Sequence, residues 1–144
     1  MTFASELGRQ LGPLRRSVTQ ATRAEEALPD LPEAHIEVLR LLGDQPDLST
    51  TQIAGRLRLA RPTVSNLLSS MVRSDLVELV RQSTDRRLVT VRRTPRAVEL
   101  LARYDVTSER IIDEALARLS SRDRSALEKA VPAMERLIEV LNRP

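Results

Sequence analysis

The sequence predicts a mostly α-helical chain with one small β-hairpin, an α+β fold, and three observations carry that expectation. Apolar residues recur at helical spacing towards both ends of the chain. Two shorter helical segments, parted by a tight turn, lie in the middle. Directly after them the period changes to two, with β-branched residues on either side of a polar, basic loop. The length, 144 residues, suits one compact fold with a subdomain, and 41 % hydrophobic residues suffice for a core. Only Phe3 and Tyr104 are aromatic, so that core must be aliphatic.

The first segment, about residues 3–28, spaces Phe3, Leu7, Leu11, Leu14, Val18 and Ala21 by threes and fours. Gly12-Pro13 should kink or weaken it, and Pro29-Asp30-Leu31-Pro32 should end it. A second helix is expected over 33–42, with Ile36, Leu39 and Leu42 on its core face, Val38 and Leu41 beside them, and Pro32 in its first turn. The third begins at Ser49-Thr50-Thr51-Gln52, where Ser49 can cap and Gln52 can reach back; Ile53, Ala54 and Leu57 form its apolar face. A turn at Arg58-Leu59-Ala60 leads to a fourth helix over 61–74, with Val64, Leu67, Leu68, Met71 and Val72 as its apolar face. Strands are expected at 77–81 and 87–92, joined by the loop Gln82-Ser83-Thr84-Asp85-Arg86. Thr94 and Pro95 then read as N-cap and first residue of a helix. Ser120 to Asp123 has capping-box-like spacing and opens a last helix, which Pro132 should bend.

Charge is concentrated. From Arg56 to Arg96 there are ten arginines against Asp75, Glu78 and Asp85, so this stretch carries +7 while the whole chain carries +3. A basic block within an otherwise acidic chain is the footprint of a polyanion partner. The block holds no lysine, and arginine forks onto phosphate or guanine in a way lysine does not. There is no cysteine, which excludes disulfides, thiol catalysis, a zinc finger and thiol redox sensing. An apolar run of the ~20 residues needed to span a bilayer is absent, and the N-terminal ten residues lack a signal-type apolar stretch; a soluble cytoplasmic protein is expected. An enzyme would need a nucleophile with its base, paired acid and base, or a metal cluster. With one histidine, no glycine-rich phosphate loop and no Gly-x-Ser-x-Gly, no enzymatic function and no cofactor or metal are expected. His35 has Glu33 and Glu37 two residues to either side, on other helix faces, and reads as an ordinary surface or half-buried histidine.

Short helix, tight turn, second helix and basic hairpin make the layout of a winged helix-turn-helix. The major groove of B-DNA, about 12 Å wide, admits one helix. That helix needs an apolar face towards its scaffold and a hydrogen-bonding face outward, and the fourth helix has both. Thr63 and Ser65 are small donors for phosphate, Asn66 suits adenine and Arg61 suits guanine. Pro62 is a helix starter whose ring can touch a thymine methyl, and Arg73 closes the outer face. A basic hairpin tip suits a narrow minor groove.

Ile53-Ala54-Gly55-Arg56-Leu57 followed by Arg61-Pro62-Thr63-Val64-Ser65-Asn66-Leu67-Leu68 resembles the helix-turn-helix of the multiple antibiotic resistance regulator (MarR) family. Leu76-Val77, Asp85-Arg86-Arg87 and Val89-Thr90-Val91 resemble that family's wing with its Asp-x-Arg signature. The resemblance implies a winged-helix homodimer whose first and last two helices form the dimer interface. It further implies Arg87 as a minor-groove arginine with Asp85 as its orienting partner, and repression relieved by a small-molecule effector or by oxidation, of which the lack of cysteine rules out the thiol peroxide-sensing branch. Ala60 departs from the family's pattern where a capping residue often opens the recognition helix, and Asp75 departs where glycine usually ends it. The expected organisation is an N-terminal dimerisation helix over 1–30, a DNA-binding domain over 31–94 and C-terminal dimerisation helices over 95–144. The expected partners are double-stranded operator DNA and a second copy of the chain. The DNA-binding residues are expected to be Arg61, Pro62, Thr63, Ser65, Asn66, Arg73, Asp85, Arg86 and Arg87. The alternative is a winged helix that binds protein, which would need an apolar or acidic outer face on the fourth helix.

Overall fold

The computed structural model describes residues 1–26 and 28–143. Its elements run α1 (Phe3–Glu26), α2 (Glu33–Asp44), α3 (Thr50–Leu57), α4 (Arg61–Arg73), β1 (Val77–Arg81), β2 (Val89–Arg93), α5 (Pro95–Ala117) and α6 (Ser121–Asn142). They divide into two compact units, one of residues 23–107 and one of residues 1–22 with 108–144.

The 23–107 unit holds the aliphatic core. Val38, Leu39 and Leu42 of α2, Ile53 of α3, and Val64, Leu68 and Met71 of α4 are buried with Val91 of β2 and Leu100 and Leu101 of α5. The core face of α2 is rotated from the expected one: His35 and Val38 are buried, whereas Ile36 is only partly so. Pro32 is the N-cap of α2, one position before its first turn, and α2 continues through Gly43 to Asp44.

Local chemistry sets the helix ends. Ser49 and Gln52 form the full reciprocal box at α3: the Ser49 hydroxyl accepts the Gln52 N–H and the Gln52 side chain accepts the Ser49 N–H. Arg58 then turns left-handed at φ 55°, and the Leu59 N–H closes onto the Ala54 carbonyl. At the other end of α4, Asp75 is left-handed at φ 56°, and the Leu76 N–H donates to the Met71 carbonyl over 2.9 Å, a closure usually left to glycine. Thr94 caps α5 by accepting the Ala97 N–H. Its hydroxyl also donates to the Asp75 carbonyl over 2.7 Å, so one side chain joins the end of α4 to the start of α5.

β1 and β2 are antiparallel, with Leu79 opposite Val91 and Val80 opposite Thr90. Leu48 adds a single bridge on the far side of β2, accepting the Val91 N–H over 2.8 Å. The second strand starts two residues later than expected, because Arg87 and Leu88 belong to the loop. The Leu88 N–H donates to the Asp85 carbonyl, and Gln82 N–H to the Leu88 carbonyl, each over 3.0 Å.

α1 runs past Gly12-Pro13 without a break, with Pro13 inside the helix. Proline holds φ in the helical range and removes one N–H donor, which a helix of this length can lose without ending. The Ser120 hydroxyl caps α6, accepting the Asp123 N–H and donating to the Asp123 carboxylate over 2.7 Å. α6 buries none of its side chains. Among the described residues, no helix is long and apolar enough to cross a membrane.

Candidate nucleic-acid interface

α4 is anchored by Val64, Leu68 and Met71, which point into the core. Helical geometry then sends the intervening residues outward. Arg61, Pro62, Thr63, Ser65, Asn66 and Arg73 are all exposed, so the structure brings these six predicted residues onto the outer surface of one helix. The α4 N-cap, Ala60, has the extended backbone of a cap (φ −64°, ψ 143°) but supplies no side-chain bond.

The other three predicted residues form the wing tip. Asp85 accepts the Arg87 backbone N–H on its carboxylate over 2.9 Å, the local turn that aspartate favours. Asp85 therefore reaches Arg87 through the backbone, shaping the loop from which Arg86 and Arg87 project, both exposed. The loop base is tied by Gln82, whose side-chain amide donates to the Thr90 hydroxyl over 2.7 Å. Below it, Arg92 of β2 holds Asp47 of the α2–α3 loop through Nε at 3.1 Å and Nη2 at 2.9 Å. With the Leu48 bridge, this pair joins the hairpin to the segment that leads into α3.

The structure adds residues that periodicity alone did not single out. Val72, expected on the apolar face of α4, is 42 % exposed, at the edge of that face where α4 meets β1. With Leu79 of β1 it lines a groove of about 340 Å³ whose other walls are Thr50, Ser65, Leu68 and Ser69. Arg56 and Arg58 at the end of α3 and Arg81 at the end of β1 are exposed as well. The signal for these was the charge of the segment, not a spacing.

His35 is more deeply buried than expected, and desolvation lowers its pKa from the ordinary 6.5, favouring the neutral ring. Among the described residues, no three histidine, aspartate or glutamate side chains gather as a metal site.

Residues 30–88 match the family model of the MarR family. No curated protein gives a significant match. Among solved structures the chain is similar to MepR, a transcription regulator of the Staphylococcus aureus multidrug efflux pump MepA, with 18% identity, TM-score 0.74 and coverage of 96% of this chain and 99% of that one. It is similar to Streptococcus pneumoniae FabT in complex with DNA at 17% identity and TM-score 0.73, covering 96% and 99% of the two chains. It is also similar to the PcaV transcriptional regulator of Streptomyces coelicolor in complex with its natural ligand, at 22% identity and TM-score 0.65, covering 94% and 93%.

Proposed function

We propose that the chain, whose residues 30–88 match the MarR family model, is a DNA-binding transcription regulator of that family, which binds a pseudo-palindromic operator as a homodimer and represses transcription until a small-molecule effector releases it. The observation that carries this reading is the exposed polar face of α4 beside an arginine-tipped wing, within a stretch of charge +7. α4 enters the major groove: Asn66 and Arg61 read base edges, Thr63 and Ser65 meet phosphate, Pro62 packs on a thymine methyl, and Arg73 pairs with the backbone. Arg86 and Arg87 enter the neighbouring minor groove, on a loop that Asp85 holds in shape. In this reading residues 31–94 bind DNA, while 1–30 and 95–144 join the two copies. Their symmetry places two recognition helices about one DNA turn apart. In this reading the protein works in the cytoplasm, beside the DNA it binds.

The effector part of the proposal draws support from PcaV, solved with its natural ligand. An effector acts only as far as it favours one spacing of the two winged helices over another. A protein-binding winged helix would present an apolar or acidic outer face, and α4 presents a polar, basic one.

The test is selection of bound genomic fragments with purified protein, followed by salt titration. A recovered pseudo-palindrome is expected, with the logarithm of affinity falling linearly with the logarithm of salt. Arg87→Ala should weaken binding on all sequences and reduce the salt slope by about 1, whereas Asn66→Ala should cost about 1–3 kcal/mol at one base position. Unchanged affinity in both variants would refute the docking. Absence of any enriched sequence or salt dependence would favour the protein-binding module.

A further inference from the structure

Val72 and Leu79 are large apolar side chains left 42 % and 56 % exposed in the most basic part of the chain. Both line the groove between α4 and β1, with Leu68 and the hydroxyl-bearing Thr50, Ser65 and Ser69 completing its walls. Exposed Arg61 and Arg73 stand at the two ends of α4, and Arg81 ends β1. The groove is therefore apolar inside and hydroxylated at its walls, it lies within the basic stretch of the chain, and it shares Ser65 with the proposed recognition surface.

We propose that this groove seats one sugar–phosphate strand of duplex DNA, with deoxyribose against Val72 and Leu79 and an adjoining phosphate against the Thr50 and Ser65 hydroxyls. The inference rests on the DNA-binding reading above. A major groove and its neighbouring minor groove are separated by one backbone strand. If α4 occupies the first and the wing the second, that strand crosses between α4 and the hairpin, where the groove lies. Deoxyribose offers carbon-bound hydrogen at C2′, which suits an apolar wall. A ribose 2′-hydroxyl there would lose its hydrogen bonds to water without replacement. The Ser69 hydroxyl already donates to the Ser65 carbonyl over 2.9 Å, so Thr50 and Ser65 are the donors assigned to phosphate. Hydroxyl and apolar contacts neutralise no phosphate and release no counterion. They therefore add affinity equally at low and high salt, unlike the arginines of the wing.

The experiment uses the full chain with a fluorescent 30-bp duplex carrying the selected operator, titrated over a range of salt. Thr50→Val and Ser65→Ala should each weaken binding by about three- to tenfold at every salt concentration, with an unchanged salt slope. A set of duplexes with a single ribonucleotide placed at successive positions supplies an independent readout. One position should weaken the wild type but leave Leu79→Ser indifferent. All three substituted side chains are exposed or half-buried, and unchanged melting temperatures confirm that the variants fold. Wild-type affinity in both hydroxyl variants, a reduced salt slope, or indifference to ribose at every position would overturn the seat while leaving DNA binding intact. Failure of the wild type to bind duplex in a salt-dependent way would overturn the DNA reading and the seat together.

Discussion

His35 shows how one buried side chain ties stability to pH. Its neutral ring is favoured in the fold because burial strips the imidazolium of water. The unfolded chain protonates this residue near the ordinary 6.5, whereas the folded chain does so only at lower pH. Below pH 6.5 the unfolded state thus binds more protons, and stability falls as pH drops through the window between the two values; above 6.5 the contribution is complete. Melting curves of wild type and His35→Gln across this range should differ in slope, the variant being flatter on the acid side. Identical pH profiles would remove His35 as a source of acid sensitivity. Asp75 works differently, through the backbone: its φ of 56° makes aspartate serve as a helix stop, since aspartate tolerates the left-handed region better than most residues.

At the scale of the element, α3 and α4 differ in how they begin. α3 has the complete Ser49–Gln52 box, whereas α4 opens on Ala60, which already has cap-like backbone angles and lacks only the oxygen. Pro62 has no N–H to offer, so a serine at position 60 would bond the Thr63 N–H. Ala60→Ser should therefore stabilise the protein by about 1 kcal/mol, read as a higher midpoint in urea unfolding. No shift would mean that the first turn of α4 is held by its packing alone. The hairpin depends on tertiary ties rather than caps. The Arg92–Asp47 pair and the Leu48 bridge fix its base, while the Asp85 turn shapes its tip.

At the scale of the molecule, the unit of residues 1–22 and 108–144 leaves many of its large apolar residues exposed. Leu127, Val131, Ile138 and Leu141 of α6 are each about half exposed or more, and Phe3 of α1 is 78 % exposed. Exposed apolar residues recurring along one face of α6 mark an association face, which the proposed function gives to the second copy. Glutamate in place of Ile138 costs an isolated chain little, because position 138 is 58 % exposed. In a dimer it would bury an unpaired charge. Light scattering should show Ile138→Glu as a monomer with weakened operator binding and the wild type as a dimer. A variant that remains dimeric would place the interface elsewhere.

Much of this was legible in the sequence because it is written in short-range chemistry. The 3.6-residue spacing of α4, the Ser49-x-x-Gln52 box, the Thr94-Pro95 helix start and the switch to period two at Val77 all act over a few residues, and each forms where the spacing placed it. The basic character of residues 56–96 needs only counting. What the sequence could not decide depends on which neighbours surround a side chain. The rotation of α2 that buries Val38 and His35 follows from packing against α3, α4 and β2, and the exposure of Val72 from where α4 meets β1. The two extra residues in the wing loop follow from hydrogen bonds that close between Asp85, Leu88 and Gln82. Periodicity states that a helix has an apolar side; only the competing surfaces of the folded chain decide how far that side extends and which of its residues reach solvent.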